Sequence, residues 1–255
     1  MNAIEIRGLE KHFSRFHLGP LDLTVPQGAV YGLIGPNGAG KTTVFNLITG
    51  VYRASEGSIR YRDEELVGRT PHEITARRIA RTFQNIRLFR DLSVLDNVRI
   101  AHFSQSRYSP IEALLHAGRF RREETRIIGH SRDLLAIFKL EHLAGETASS
   151  LPYGHQRRLE IARALATRPE LLLLDEPAAG MNPSEIDQLM DFIRWIRREF
   201  QLTILLIEHQ MKLVMGICER IKVLDFGRTL AEGPPEVVRS DPLVLEAYLG
   251  EKVAR

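Results

Sequence analysis

The chain lacks the features that mark secreted or membrane-spanning proteins. It has 255 residues and a single cysteine, Cys218, so no disulfide can form within it, as is typical of a reducing cytosol. No apolar run approaches the roughly 18 residues of a membrane span, and runs such as 171–174 and 202–207 have the length of a strand. The first residues, MNAIEIRGLEKHF, have no apolar core, so we expect no secretory signal.

The chain also lacks a large excess of charge of either sign, since its formal net charge is +3. Arginines cluster twice, in groups formed by Arg77, Arg78, Arg81, Arg87 and Arg90 and by Arg119, Arg121, Arg122 and Arg126. Such clusters can bind nucleic acid or anionic lipid, but the interleaved aromatic residues that stack on bases are missing. We therefore favour a solvated helix face or a protein contact, and we expect no nucleic acid.

What the sequence does contain is an alternation of apolar strands and helices, without an internal repeat. Hydrophobic patterns predict strands at 3–8, 21–25, 29–34, 58–61, 80–83, 171–175, 203–208 and 221–225. They predict helices at 41–49, at 183–200, shortly after 208, and at the prolines 234, 235 and 242. Continuous apolar strands that alternate with helices indicate a parallel sheet covered on both faces.

Residues from about 94 to 167 interrupt this alternation, because they are mostly helical, with breaks at Ser109-Pro110, Gly118 and Gly145. We interpret this stretch as an inserted subdomain of one domain. We expect residues 1–84 and about 168–255 to form the core of that domain, and about 85–167 to form the helical subdomain.

Residues 35–43, GPNGAGKTT, fit the phosphate-loop pattern G-x-x-x-x-G-K-[ST] between a predicted strand and a predicted helix. The glycines let successive backbone N–H groups point at anionic oxygens, and the helix adds the partial positive charge of its N-terminus. The lysine supplies charge to the β- and γ-phosphates, and the hydroxyl after it ligates Mg²⁺. The predicted nucleotide-binding residues are Gly35, Pro36, Asn37, Gly38, Ala39, Gly40, Lys41, Thr42 and Thr43, with Thr42 as a magnesium ligand.

Polar residues follow three other predicted strands, at the sheet edge where open α/β sheets bind ligands. Asp175 and Glu176 follow the leucines 171–174; a helix cap is the alternative, but the phosphate loop favours magnesium binding by Asp175 and activation of water by Glu176. His209 is a candidate γ-phosphate contact, and Gln84 a candidate ligand of Mg²⁺ or of the hydrolytic water. The nine histidines and one cysteine show no metal-site spacing.

Together these residues resemble the nucleotide-binding subunit of an ABC transporter. Residues 35–43 match its Walker A loop, 171–176 its Walker B strand and catalytic glutamate, Gln84 its Q-loop, His209 its switch histidine and 177–182 its D-loop. In this family the signature loop binds ATP that a second subunit holds; the matching contacts in trans are Leu151, Pro152, Tyr153, Gly154 and His155. The resemblance implies an α/β fold with a P-loop NTPase core (RecA-like, largely parallel sheet), an antiparallel β edge and an inserted α-helical subdomain.

The similarity is greater to one branch, the larger ATPase subunit of high-affinity branched-chain amino-acid importers (Liv-type). It is carried by RTFQNIRLFRDLSVLDNV (81–98), LPYGHQRRLEIARAL (151–165), LLLLDEPAAGMNP (171–183), LLIEHQMKLVMGICERIKVLDFG (205–227) and DPLVLEAYLG (241–250), the last within a family-type C-terminal extension at 234–255. This implies an ATPase that uses ATP and Mg²⁺ at the cytoplasmic face of the inner membrane. The implied partners are a second ATPase subunit, two membrane permease subunits and, indirectly, a periplasmic substrate-binding protein.

By the same resemblance Phe13 is the candidate aromatic that stacks on adenine, although Phe16 lies nearby and core burial is the alternative. The apolar residues after Gln84 would line either a groove for a cytoplasmic helix of the membrane subunit or the subdomain core; they are Ile86, Leu88, Phe89, Leu92 and Val94.

Two departures from the family pattern matter. The general signature is L-S-G-G-Q, whereas Pro152 offers neither a hydroxyl nor a backbone N–H, and His155 replaces the usual glutamine. We therefore expect this contact to depend on the backbone and the helix dipole, with His155 as a substitute donor. Asn182 stands where many ABC proteins have aspartate, which weakens any argument for a carboxylate there.

Other functions remain open at this stage. The cargo could be urea, another amino acid or an exported lipid, and the ATPase pair could be a homodimer or a heterodimer. A non-transport ABC ATPase that acts on ribosomes or DNA is the more distant alternative. Such proteins usually carry two nucleotide domains or a coiled-coil insertion, and this sequence has neither.

Overall fold

The structure, a computed structural model, describes residues 1–102 and 118–249. The predicted break at Ser109-Pro110 lies outside the described residues. Two compact units are present. We call Met1–Ile74, together with the described residues from Glu170 onwards, the core unit, and the described part of Thr75–Pro169 the helical unit. The helical unit thus begins at Thr75, ahead of the boundary near residue 85 that we expected.

Strands dominate the core unit. They are β1 (Asn2–His12), β2 (His17–Pro26), β3 (Val30–Ile34), β4 (Glu56–Tyr61), β5 (Glu64–Glu65), β7 (Leu171–Asp175), β8 (Thr203–Ile207), β9 (Arg220–Asp225) and β10 (Arg228–Gly233); β6 (Ile79–Arg81) belongs to the helical unit. All the predicted strands are confirmed within a few residues. β5 and β10 were not predicted, because β5 has only two residues and β10 is a partly exposed strand without an apolar run.

The central sheet of the core unit is largely parallel, as predicted. Its strands lie in the order β10-β9-β3-β8-β7, with β3 parallel to both β8 and β9, β7 parallel to β8, and β10 antiparallel to β9. Every residue of β3, β7 and β8 is buried, which explains their continuous apolar sequences. Leu33 pairs with Ile207, and Ile207 pairs with Asp175, so these three strands end at the same edge.

A second sheet of the core unit is antiparallel, in the order β2-β1-β4-β5. β1 and β2 form a hairpin in which His12 pairs with His17, and residues 13–16 connect the two strands. Alternate residues of β2 are buried, and this is the period-two pattern that the sequence showed. The hairpin connection therefore carries both candidate aromatic residues, Phe13 and Phe16.

The helices of the core unit are α1 (Lys41–Ile48), α2 (Pro71–Ala76, whose last two residues fall in the helical unit), α6 (Pro183–Glu199), α7 (Met211–Ile217), α8 (Pro235–Ser240) and α9 (Pro242–Leu249); those of the helical unit are α3 (Val94–His102), α4 (Gly118–Ile137) and α5 (Tyr153–Ala166). The predicted break at Gly145 is confirmed between two 3₁₀ turns, Glu141–Leu143 and Ala148–Ser150. None of the described helices combines the length and the apolar content needed to cross a membrane.

Candidate functional site

The phosphate loop connects β3 to α1 through glycines with positive φ, a backbone conformation that other residues rarely adopt. Gly35 has φ +148°, and a Cβ added to it would lie 2.0 Å from the carbonyl oxygen of Leu224. Gly40, the N-cap of α1, has φ +105°. Because Gly40 has no side chain to cap the helix, the first N–H groups of α1 stay available to an anion.

Lys41 lies inside this loop. Its Nζ donates hydrogen bonds to the carbonyl oxygens of Gly35 (2.8 Å) and Pro36 (3.0 Å), and the residue is 6% exposed. Burial lowers the pKa of Lys41, while the carboxylates of Glu176 and Asp175 oppose that shift. The lysine therefore lies within electrostatic reach of the acidic pair, while the binding of phosphate and magnesium by these residues stays a prediction.

The acidic pair ends β7 at the same sheet edge. Asp175 is its last residue and is 2% exposed. Glu176 follows with φ +47°, and its N–H donates to the carbonyl oxygen of Ile207 (2.9 Å). A left-handed conformation costs a non-glycine residue of the order of 1–3 kcal/mol and is often found at functional sites. This backbone turns the Glu176 carboxylate out of the sheet, toward the residues that follow β8.

His209 follows β8 and approaches Glu176. Its Nδ1 lies 3.8 Å from Glu176 Oε2, too far for a hydrogen bond. The residue before it, Glu208, is fully buried and was not predicted as important. Glu208 accepts hydrogen bonds from the backbone N–H groups of Ala178 (2.8 Å), His209 (2.9 Å) and Gln210 (3.0 Å). One carboxylate thus ties the segment after Glu176 to the segment that carries His209.

We predict that Glu208→Ala lowers the free energy of unfolding by about 3 kcal/mol, because one buried and two partly buried N–H groups would lose their acceptor at about 1 kcal/mol each. Urea denaturation of the wild type, of Glu208→Ala and of a control variant would measure the change in the free energy of unfolding. Glu199→Ala is the matched control, since Glu199 is an exposed carboxylate at the end of α6. A loss no larger than that of the control would contradict the anchoring role of Glu208.

The structure distinguishes between the two candidate aromatic residues. Phe13 is 40% exposed, and its ring lies edge-on to Tyr52, with the ring centres 5.6 Å apart. Phe16 instead packs against the phosphate loop, where a Cβ on Gly40 would lie 3.0 Å from its Cζ. Stacking on a base needs an accessible ring face, so Phe13 is the better candidate and Phe16 fills the packing role.

The C-terminal helix also contacts the phosphate loop. Burial raises the pKa of Tyr248, in α9, to about 12, and a hydrogen bond from the Gly35 backbone opposes this rise. The phosphate loop is further held by the β9–β10 turn, where the N–H of Gly227 donates to the carbonyl oxygen of Ala39 (3.0 Å). No local sequence pattern predicts the contact between Tyr248 and Gly35, because the two residues lie more than 200 positions apart.

Asn182 has a clear structural role. It is the N-cap of α6, and its side-chain oxygen accepts hydrogen bonds from the N–H groups of Ser184 and Glu185, both at 3.0 Å. Glu185 in turn accepts from the N–H of Asn182 (2.8 Å), which completes a capping box. Asparagine caps a helix as well as aspartate does, so the replacement keeps the start of α6 intact.

The helical unit carries the predicted signature residues at the start of α5. Pro152 is the N-cap, and its carbonyl oxygen accepts from the N–H groups of His155 (2.9 Å) and Gln156 (3.0 Å). Leu151 is buried, whereas Tyr153 and Gly154 are exposed. Within the described residues no partner is found for the buried Nδ1 of His155. The first turn of α5 therefore presents backbone N–H groups without a side-chain cap.

Gln84 lies in the same unit, in a loop after β6. Gln84 is exposed. It lies three residues beyond the end of the strand, because β6 ends at Arg81 and not at the predicted residue 83. Of the five apolar residues that follow, Phe89 and Leu92 are exposed, Ile86 and Leu88 are half-buried, and Val94 is buried. A cavity of about 310 Å³ in this unit is lined in part by Phe89 and Arg163. Val94 thus belongs to the subdomain core, while Phe89 faces a cavity.

Among the described residues, one group of histidine and acidic side chains has ligand atoms close enough to hold a metal ion, although the sequence showed no such spacing. Glu10, His12 and His17 meet beside the 13–16 connection of the β1–β2 hairpin. Glu10 Oε2 lies 2.9 Å from Nε2 of His12 and 3.0 Å from Nε2 of His17. These hydrogen bonds account for the cluster without an ion, and both imidazoles are half-exposed.

Comparison with known proteins decides the family. The profile described as ABC transporter matches residues 18–179, which include the phosphate loop, Gln84, the signature residues and the acidic pair. The chain belongs to the ABC transporter family. A second profile, described as branched-chain amino acid ATP-binding cassette transporter, matches residues 228–254 of this ABC protein.

Relatives of this ABC protein cover almost all of its length. The high-affinity branched-chain amino acid transport ATP-binding protein BraF of Pseudomonas aeruginosa is 43% identical over 249 residues, 97% of this chain and 98% of BraF. The corresponding protein LivG of Escherichia coli K12 is 47% identical over 222 residues, 87% of each chain. The predicted family is therefore confirmed, and this ABC protein is an ATPase.

Solved structures confirm the predicted fold class. A nucleotide-free ATP-binding cassette from an ABC transporter matches with a TM-score of 0.85 and 31% identity, over 98% of this chain and 100% of the other. The ADP conformation of an ABC transporter cassette matches with a TM-score of 0.84, also at 31% identity, over 98% and 100%. The ABC fold seen here thus includes members that bind nucleotide.

Proposed function

We propose that this chain powers an importer of branched-chain amino acids by binding and hydrolysing ATP with Mg²⁺. The observation that carries the proposal is the single electrostatic site formed by Lys41, Asp175 and Glu176 at the carboxyl edge of the parallel sheet. A phosphate loop supplies the anion site, and the acidic pair supplies the groups that a hydrolytic ATPase needs beside it.

Each residue has a proposed role in hydrolysis. Lys41 and the N–H groups at the start of α1 bind the phosphates, and Glu176 orients and deprotonates the attacking water. Thr42, which is exposed, and Asp175 offer the hydroxyl and carboxylate oxygens that Mg²⁺ prefers. When bound, the ion would neutralise charge that develops on the phosphates. His209, which lies beside Glu176, would contact the γ-phosphate, and Gln84 would bind Mg²⁺ or the hydrolytic water.

The proposed partners follow from the exposed start of α5 and from the family to which this chain belongs. Tyr153 and Gly154 expose the start of α5 to a second ATPase subunit. The ATP of that subunit would accept hydrogen bonds from the backbone N–H groups there. Two membrane permease subunits would bind the pair at the cytoplasmic face of the inner membrane, and a periplasmic protein would deliver the amino acid. ATP does mechanical work here by binding the closed pair more tightly than the open pair.

The names of BraF and LivG support branched-chain amino acids as cargo. We predict that a strain without this gene loses most high-affinity uptake of labelled leucine at micromolar concentration. Wild-type protein would restore uptake, and the variant Lys41→Ala would not. Labelled urea is the control cargo in the same cells. Normal leucine uptake together with lost urea uptake would overturn the proposed cargo while leaving the ATPase role intact.

A further inference from the structure

Helix α5 buries a charged pair that the proposed chemistry does not use. Arg157 and Glu160 are each 1% exposed and lie three residues apart, with Arg157 Nη1 2.9 Å from Glu160 Oε2. Removing two charges from water is costly, and a well-packed apolar pair of similar volume is often equally stable. Packing alone therefore does not explain why charges occupy these two positions.

The pair holds the backbone of the segment that carries Gln84. Arg157 Nη1 donates to the carbonyl oxygen of Phe83 (2.8 Å), and Nη2 donates to that of Gln84 (3.0 Å). Glu160 Oε1 accepts from the N–H groups of Phe83 (3.3 Å) and Arg87 (3.2 Å). All four bonds go to the main chain, so they fix the backbone of the segment that carries Gln84.

The same guanidinium reaches the signature residues. Arg157 Nη2 also donates to the hydroxyl of Tyr153 (3.2 Å), and the guanidinium carbon lies 5.9 Å from the centre of the Tyr153 ring. Tyr153 is 49% exposed and is the first residue of α5. One buried side chain thus bonds both to the Gln84 segment and to the residue that opens the signature helix.

We propose that Arg157 and Glu160 are positioning residues that couple Gln84 to the signature residues. A shift of the Gln84 backbone is passed through the guanidinium to Tyr153 and the N-terminus of α5. The inference rests on the proposed function, in which Gln84 and the signature residues act on ATP. Arginine suits the task because its planar fork bonds several acceptors at once, which the single ammonium of lysine does not reproduce.

A double-mutant cycle on ATP turnover by the purified full chain tests this coupling. Arg157→Lys should lower kcat at least about tenfold and change KM for ATP less than about twofold, because the phosphate loop that binds the nucleotide is unchanged. In a Gln84→Ala background the same change should lower kcat less than about twofold, since the signal that it transmits is already lost. Arg132→Lys is the matched control, because Arg132 is an exposed arginine on α4 of the same unit, and it should change neither value.

Thermal melting of every variant separates the coupling from a loss of folding. A second cycle combines Glu160→Gln with Gln84→Ala. Glu160→Gln keeps an oxygen acceptor and removes the charge, and this cycle replaces the first if Arg157→Lys does not fold. If a folded variant lowers kcat by the same factor with and without Gln84→Ala, the two residues act independently. That result would overturn the coupling and leave the proposed function intact. If Gln84→Ala turns over at the wild-type rate, the proposed role of Gln84 is wrong and the coupling is wrong with it.

Discussion

Replacing Glu176 with glutamine is expected to reduce ATP turnover by about 10²–10⁴-fold, the usual contribution of a positioned general base. ATP affinity should stay close to that of the wild type, because the phosphate contacts of Lys41 and α1 are unchanged. Glutamine has the same shape as glutamate and can occupy the same backbone conformation at φ +47°. The change therefore removes the proton acceptor and little else.

The measurement is single-turnover hydrolysis together with equilibrium ATP binding. Glu199→Gln is the matched control, since it makes the same chemical change at an exposed position on α6. Turnover near the wild-type rate would remove Glu176 from its role. A parallel loss of ATP affinity would instead indicate that its charge supports Lys41, whose pKa this carboxylate helps to keep from falling further.

Residues with local sequence patterns were predicted well. β3, β7 and β8 are buried throughout, so their sequences are continuously apolar and can be recognised without the fold. The phosphate loop could be recognised because its glycines are required at fixed positions, as the collision between a Cβ on Gly35 and the Leu224 carbonyl illustrates. The parallel arrangement then places the residues after each strand at one edge, which brings Lys41 and Asp175 together.

Residues whose partners lie far away in the sequence were missed. Glu208 looks like an ordinary acid after a strand, and its buried contact with the backbone of Ala178 appears only in the folded chain. Arg157 and Glu160 had a weak signal, since opposite charges three residues apart on a helix often pair. Their spacing is equally typical of a solvated surface, however, and only burial shows that they hold the Gln84 segment.

The two departures from the family pattern have different consequences. Asn182 makes the capping contacts that an aspartate would make, so its replacement leaves the start of α6 in place. Pro152 and His155 leave the first turn of α5 without a side-chain cap, and with the imidazole of His155 where the usual signature has an amide. In the proposed pair, the contact with ATP would then depend on backbone position, which would give the bond between Arg157 and Tyr153 its importance.

Replacing Lys41 with alanine should weaken ATP binding at least about tenfold, because a hydrogen bond to a charged group contributes about 1.5–3 kcal/mol and Lys41 is the cation placed within the phosphate loop. Lys41→Met should behave similarly, since it keeps the length of the side chain and removes the charge. Arg198→Ala removes a cation from the exposed face of α6 and serves as the control.

Isothermal titration with ATP would measure the affinities, and the melting temperature would show that each variant is folded.

Lys41 also bridges the carbonyl oxygens of Gly35 and Pro36, so alanine would remove both an anion contact and a brace of the loop. Methionine also cannot donate to those carbonyl oxygens. Equal losses of affinity in Lys41→Ala and Lys41→Met would therefore not separate the anion contact from the brace of the loop. Lys41→Arg keeps the charge and changes the geometry of the bonds to those carbonyls, so recovery of affinity would show that ATP binding requires a cation at this position. Unchanged affinity in Lys41→Ala would overturn the phosphate-loop assignment, because nothing else in the loop carries a positive side chain.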